Sequence, residues 1–396
     1  MQREKISAKE RFTTLCAALL CVGLLGFVFW LNTFDTKKEE KAPVSAVAPV
    51  EPTIEPLQVS GKYLFSGTIV MARATERNAS GNYEQPFSQF ASFNPEKYDG
   101  WLADLECPVT TKTISYQQQI TNLIFNCRPE WLPTMAKYFT MFNLANNHTG
   151  DLGAAAFSES QKHLDDAGIQ TVGSYDPSST KDACEVMALP VRVIKSDDST
   201  EKGTLPVAFC AYHYFFRKPI AGEMNTVGMF AKSMPVFGLM HAGVEYRPNA
   251  DDTQKQVARE LIDQGSEFVI GNSPHWVQES EVYKGKPIFY STGNFIFDQL
   301  EPEEQRGLSI DVTMSVKYDE NVAKWLALGA SCKQRSDNCL ASAQQQNLQK
   351  VQLQLSYEPI GSTGGNKRLT QLADQGTQMG IEQRLKWSVT KQLLGQ

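Results

Sequence analysis

The sequence predicts a layered α/β fold carried behind a single membrane anchor. Three observations lead there. Short apolar runs alternate with helical patterns along most of the chain. Polar residues collect just after those runs, where open α/β sheets bind ligands. One long uncharged apolar segment stands near the N-terminus, and only one.

That segment runs from Thr13 to Phe34, 22 residues without a charge. At 1.5 Å rise per residue it extends about 33 Å, enough to cross the hydrocarbon layer. Arg3, Lys5, Lys9 and Arg11 outnumber Glu4 and Glu10 in the flank before it. The positive-inside rule then places residues 1–12 in the cytoplasm and the rest outside. A cleaved signal peptide is the competing reading. The run is long for such a segment, and no Ala-x-Ala site follows it. Residues 35–59 form a linker with Pro43, Pro49, Pro52 and Pro56, an extended spacer between membrane and head.

The head follows as a series of strands and helices. Apolar runs at 62–72, 98–106 and 139–145 read as strands. Phe157, Gln161 and Leu164 have helical spacing over 153–167, and Gly168 stops that helix. Further strands read at 169–173, 185–194, 205–212, 235–243, 267–272 and 287–294, with a helix over 253–264 ended by Gly265. The runs 307–316 and 351–360 alternate apolar and polar residues, as half-exposed antiparallel strands do. Residues 344–346 read as a polar connection and 368–396 as helical. The predicted division is therefore 60–316 for the main domain and 317–396 for a small β/helix extension.

Length and charge exclude other classes. The chain has 396 residues, 41% of them hydrophobic, with a formal net charge of -6. Global disorder is excluded by the apolar content, and nucleic acid as a partner by the absence of a basic excess. Six cysteines follow the anchor, an even number that permits three disulfides in an exported head. Cys332 and Cys339 would close a short polar loop, and Cys107 with Cys127 is a plausible second pair.

Four polar segments carry the candidate chemistry. D-L-E-C-P puts Asp104 and Glu106 on one side of a strand end, with Leu105 facing the other way. Such carboxylates ligate metals or act as bases; a surface strand end beside Cys107 is the plain alternative. L-A-N-N-H-T-G-D follows the 139–145 strand and supplies Asn146, Asn147, His148 and Asp151. Amide oxygen and imidazole nitrogen suit divalent metals, and imidazole suits proton transfer. Asp151 is also placed to cap the next helix, and the whole turn could be satisfied by its own backbone. H-A-G-V-E-Y places His241 at a buried strand end with Glu245 nearby, which a metal or a simple His–Glu bond would satisfy. G-N-S-P-H-W-V-Q supplies Asn272, Ser273, His275 and Gln278. A lone histidine is usually structural, but three of the chain's five fall at such strand ends.

These segments, with G-K-P-I-F-Y-S-T-G-N-F-I-F-D over 285–298, resemble the CapA family of capsule biosynthesis proteins, called PgsA in poly-γ-glutamate systems. The resemblance covers roughly residues 61–315. It implies a four-layer αββα sandwich similar to the calcineurin-like metallophosphoesterases, behind the anchor. It implies a divalent metal (Mn, Zn or Mg) held by Glu106, Asn147, His241 and His275. His148 and Asp151 take the catalytic positions. Glu245, Asn294 and Gln278 fall among substrate-binding positions. The implied role is synthesis, export or anchoring of a surface polymer such as capsule or poly-γ-glutamate, in a bacterial membrane, with membrane-embedded biosynthesis subunits as partners. The alternative is a non-catalytic accessory subunit that binds polymer or partners through the same cleft. Two departures from the pattern stand out: Thr68 replaces the acid expected after Gly67, and Ser273 replaces a histidine before Pro274. They imply a degraded metal site for any phosphoesterase-like hydrolase.

Overall fold

A computed structural model describes residues 53–215, 217–329, 331–332, 338–364 and 369–396. The cytoplasmic tail, the anchor and nearly all of the linker lie outside the described residues. Among the described residues, no helix is long and apolar enough to cross a membrane.

The fold is mixed α/β, organised on its first strand. β1 (Pro56–Ile69) is 14 residues long and starts within the segment read as linker. Its first half lies antiparallel to two later strands, β5 (Cys184–Lys195) and β12 (Arg306–Lys317). From Tyr63 onward its other flank takes a new neighbour, with a register shift between Phe65 and Thr68. There it runs parallel to β2 (Gly100–Leu105), which continues to β3 (Phe139–Asn143) and β4 (Gln170–Val172).

On the other side β5 forms an antiparallel hairpin with β6 (Thr200–His213), and Cys184 bonds to Cys210 directly across it. From β6 the sheet continues in parallel through β7 (Val236–His241), β8 (Val269–Asn272) and β10 (Lys286–Phe289), with β9 (Ser280–Tyr283) at the edge. The 287–294 run, read as one strand, is two. β10 ends at Phe289, and β11 (Asn294–Ile296) pairs with β1 instead. Gly293, at φ 67°, makes the break a side chain would resist.

The composition of the strands explains the layering. β2 and β7 are buried at every position, as parallel strands covered on both faces are. β13 (Gln354–Thr363) alternates, and pairs with β12 from Arg306↔Thr363 to Ser315↔Gln354. The helices bury one stripe each. α1 (Arg73–Ala79) and α2 (Tyr116–Asn122) were not expected from the pattern; Ser115 and Gln118 cap α2 reciprocally. α3 (Ala154–Asp166) buries Ala156, Phe157, Ser160 and Leu164. α4 (Ala221–Ala231) has too little polar contrast to be read in advance. α5 (Asp252–Asp263) is capped by Asp251 and buries Val257, Ala258, Leu261 and Ile262.

The C-terminal region continues the same sheet. α6 (Glu320–Gly329) and α7 (Asn338–Gln345) follow β12, so the 344–346 segment read as a connection starts on a helix end. α8 (Gln375–Leu385) and α9 (Trp387–Leu394) close the chain. Ser280 on β9 donates to the Leu385 carbonyl and meets Thr390 at 2.7 Å, tying this helix pair to the sheet. All three expected or permitted disulfides are present: Cys107–Cys127, Cys184–Cys210 and Cys332–Cys339.

Candidate functional site

The register brings the four polar segments to one sheet edge. Thr68 on β1 pairs with Asp104 on β2 and with Asn294 on β11, and Asp104 pairs with Asn143 on β3. On β7, His241 pairs with Asn272 on β8. Parallel strands end together, so residues scattered over the sequence meet there.

Asp104 is the buried centre. Its Oδ1 accepts from Asn143 Nδ2 at 3.1 Å and Asn146 Nδ2 at 3.0 Å. Its Oδ2 lies 2.7 Å from His241 Nδ1. An ionised carboxylate only accepts, so Nδ1 carries the proton of that contact. His241 Nε2 then faces Asn147 Oδ1 at 2.8 Å and Glu106 Oε1 at 3.7 Å. Asn146 shapes the turn that delivers its neighbours. Its Oδ1 accepts from the backbone N–H groups of His148 at 3.1 Å and Thr149 at 2.9 Å.

Glu106 is buried, and among the described residues its Oε2 has no hydrogen-bond partner. Burial first, then the charges of Asp104, Glu245 and Asp151, push its carboxyl well above the usual range, with Arg73 opposing. An orphaned buried carboxylate oxygen beside an imidazole nitrogen and an amide oxygen is a donor set a cation would satisfy. Two ligands about 2.1 Å from one ion lie roughly 3.0–3.4 Å apart at octahedral or tetrahedral angles. The spacings of 2.8 and 3.7 Å bracket that span. His241 Nε2, Asn147 Oδ1 and Glu106 Oε1 are therefore donors of the kind that could hold a divalent ion. Among the described residues, no three His, Cys, Asp or Glu side chains form a metal cluster; the third donor here is an amide.

His275 stands beside this group. Its Nδ1 meets Asn294 Oδ1 at 2.9 Å, and its Nε2 is 3.8 Å from Glu245 Oε1. Its ring stacks on Tyr246 with centroids 5.7 Å apart and meets Phe297 edge-on at 5.0 Å. Burial lowers it to about 4 against the support of Asn294. The Asn294 amide is itself fixed by Gln299 at 2.8 Å and the Glu304 carbonyl at 3.1 Å. Gln278 sits in a separate buried network. It accepts from Gln254 Nε2 at 2.8 Å and donates to the Arg247 carbonyl at 3.0 Å.

His148 and Asp151 form a pair at 2.8 Å between Nδ1 and Oδ2. The same Oδ2 accepts from the Phe125 backbone N–H at 2.7 Å. Asp151 does not cap α3, which opens at Gly153 without a side-chain cap. The tertiary contacts take the carboxylate instead. Phe125 also stacks on the His148 ring at 3.9 Å, fixing its plane. The Cys107–Cys127 bridge ties the Phe125 loop to the strand end that carries Glu106.

Sequence reasoning did not single out Arg73, Phe125, Tyr246 or Asp298. Arg73, Tyr246, Ser273 and His275 all adopt positive φ, at 54°, 58°, 101° and 60°. Such non-glycine conformations cost about 1–3 kcal/mol each and gather where a site over-determines the backbone.

The buried histidine makes a pH prediction. His275 is held near 4, against about 6.5 when unfolded, so the unfolded chain takes up a proton first as pH falls. Its stabilising contribution is complete above about 6.5 and is lost progressively toward 4. Relative to wild type, His275→Gln should gain stability between pH 6.5 and 4, at up to about 1.4 kcal/mol per pH unit. Urea midpoints across that range measure it. Parallel profiles for the two proteins would contradict it.

A family model described as bacterial capsule synthesis protein PGA_cap matches residues 62–214 and 232–299. The chain is 26% identical over 252 residues to the PGA biosynthesis protein CapA of Bacillus subtilis (strain 168), covering 59% of this chain and 63% of that protein. It is 28% identical over 196 residues to the capsule biosynthesis protein CapA of Bacillus anthracis, covering 47% of each. A probable polyglutamine synthesis accessory protein of Mycobacterium tuberculosis is 27% identical over 168 residues, 39% of this chain and 44% of that one. The match thus spans less than two thirds of each of these relatives.

Proposed function

We propose, from the premise that this chain belongs to the bacterial capsule synthesis protein family PGA_cap, that it acts on a polyanionic surface polymer of the poly-γ-glutamate class. The strand-end cleft is the site. The residues 13–34 anchor it in the bacterial membrane, with the head outside and membrane-embedded biosynthesis subunits as neighbours. The two wings that share β1 are the sheets of the αββα architecture.

One observation carries the reading. Asp104 holds His241 by Nδ1 and leaves Nε2 aimed at Asn147, with Glu106 carrying an unpartnered oxygen at the same point. Glu106, Asn147 and His241 would hold one divalent ion, with His275 and Glu245 at the margin. Such an ion polarises the oxygen of the group under attack. The chain's own residues supply the rest. His148 presents Nε2 to the reacting group, because Nδ1–H is donated to Asp151; that nitrogen takes up a proton in the neutral ring and returns it from the imidazolium. Asp151 fixes that tautomer, and Phe125 fixes the plane of the ring. Asn294 fixes His275.

A second reading has its own observation. Thr68 stands in register with Asp104 where the resemblance expects an acid, and its Oγ1 has no partner. Without that charge the cleft favours binding over chemistry, and the protein is an accessory subunit. The full-length protein, purified from membranes and incubated with Mn²⁺ or Zn²⁺, should carry about one ion per chain by mass spectrometry. Protein that retains no metal would remove the enzymatic version and leave the accessory one.

A further inference from the structure

Arg73 follows β1 beside Phe125, with 18% of its side chain exposed, and has no part in the metal or proton chemistry above. Its guanidinium lies over two aromatic rings, 5.1 Å from the centroid of Phe125 and 5.8 Å from that of Phe297. Asp298 meets it on one side, with 3.2 Å between Nη2 and Oδ1. The other oxygen of Asp298 accepts from the Ala74 backbone N–H at 2.9 Å, so this carboxylate is held in place by α1. Arg73 itself sits at φ 54°, a conformation a side chain rarely accepts without compensation.

The pairing is incomplete. Guanidinium has five N–H donors, and Asp298 approaches one nitrogen. Among the described residues, Arg73 Nε is buried with no hydrogen-bond partner. A buried donor left unmade is costly, and such a donor at a cleft is the group a ligand would satisfy. The charge also reaches the cleft. Arg73 favours the ionised forms of Glu106 and Glu304 and disfavours protonation of His275. Among the described residues, the acidic groups near it are Asp104, Glu106, Asp151, Glu245 and Glu304. An anionic ligand entering beside these carboxylates would be favoured by a bound cation and by Arg73.

We infer that Arg73 is the oxyanion anchor of the cleft, receiving a carboxylate of the polymer on the free edge of its guanidinium. The two rings limit rotation of the guanidinium plane, so its N–H groups present a fixed fork to a planar acceptor. Asp298 sets the orientation of the fork and attenuates its charge. The inference rests on the proposed polyanion reading, and a phosphate group would present the same oxygens.

The test uses full-length protein in detergent micelles, titrated calorimetrically with a γ-linked glutamate oligomer and separately with inorganic phosphate. Arg73→Gln should weaken oligomer binding at least tenfold. Arg73→Lys keeps the charge without the fork and should fall between. Asp298→Asn keeps an acceptor for Ala74 but removes the competing charge, and should tighten binding. A purely structural Arg73–Asp298 pair predicts no such opposite signs. Equal oligomer affinity in wild type and all three variants would overturn the inference and leave the polymer reading intact. Phosphate binding that depends on Arg73, without oligomer binding, would keep the oxyanion site and overturn both the carboxylate and the polymer. Binding of neither probe to wild type would overturn both. If Arg73→Gln does not fold, the lysine and Asp298→Asn variants decide the matter.

Discussion

His241→Ala should remove bound metal and destabilise the head by about 3–5 kcal/mol. The two losses have separate causes. Asp104 is fully buried, and His241 is its partner at 2.7 Å. Removing one member of such a pair strands the other charge in a low-dielectric interior, which costs several kcal/mol. The metal loss concerns the other nitrogen. Nε2 is the only imidazole atom that faces both Asn147 and Glu106. His241→Asn divides the two effects, because its side-chain amide can still donate to Asp104 from the position of Nδ1 but leaves nothing at Nε2. It should recover most of the stability and none of the metal. Urea midpoints and metal content by mass spectrometry, taken on all three proteins, give the answer. Full metal occupancy in His241→Asn would show that Nε2 is not a ligand.

Much of this site was legible because strand ends are. The runs ending at Asp104, Asn143, His241 and Asn272 are apolar and bounded by polar residues, and a parallel sheet must bring such ends to one edge. The helices over 153–167 and 253–264 were legible from their spacing and stop glycines, and the Cys332–Cys339 pair from its short interval. What stayed hidden depends on contacts between distant segments. Asp151 reads locally as a cap, but Phe125, in a disulfide-bound loop, offers its N–H and wins the carboxylate. Gln278 shares a motif with His275, yet its amide is taken up by Gln254 and the Arg247 carbonyl. Arg73 and Asp298 are far apart in sequence and meet only because β11 pairs with β1. No periodicity announces that.

The two departures from the family pattern have different structural consequences. Thr68 keeps a polar atom at the sheet edge but adds no charge next to Asp104. A pair of ions about 3.5–4 Å apart would need further ligands at this edge. The acids at this edge are already committed, Asp104 to His241 and the two asparagines, Asp151 to His148. Glu106 keeps one oxygen with no hydrogen-bond partner among the described residues. Ser273 is buried and adopts φ 101°, a left-handed conformation within the fourth segment. His275, the next residue but one, meets Asn294 at 2.9 Å.

His148→Ala should leave the metal in place and lower any hydrolysis by about 10²–10⁴-fold, the usual contribution of a positioned acid or base. Among the described residues, the hydrogen bond of the His148 ring goes to Asp151 and not to Glu106, Asn147 or His241. Its Nδ1 is held by Asp151 at 2.8 Å and its face by Phe125 at 3.9 Å. These partners orient the ring without using Nε2, an arrangement that serves proton transfer better than folding. Asp151→Asn is the companion variant. It keeps a hydrogen-bonding group beside Nδ1 but can stabilise the wrong tautomer, so a smaller loss in rate with unchanged metal is expected. The measurement is the turnover of a γ-linked glutamate oligomer by metal-loaded, full-length protein, followed with the metal content of each variant. Under the accessory reading the same substitutions would weaken attachment of polymer at the cell surface to a similar, modest degree, with no turnover to lose. Wild-type turnover that survives His148→Ala within about threefold would reject the proton-donor role.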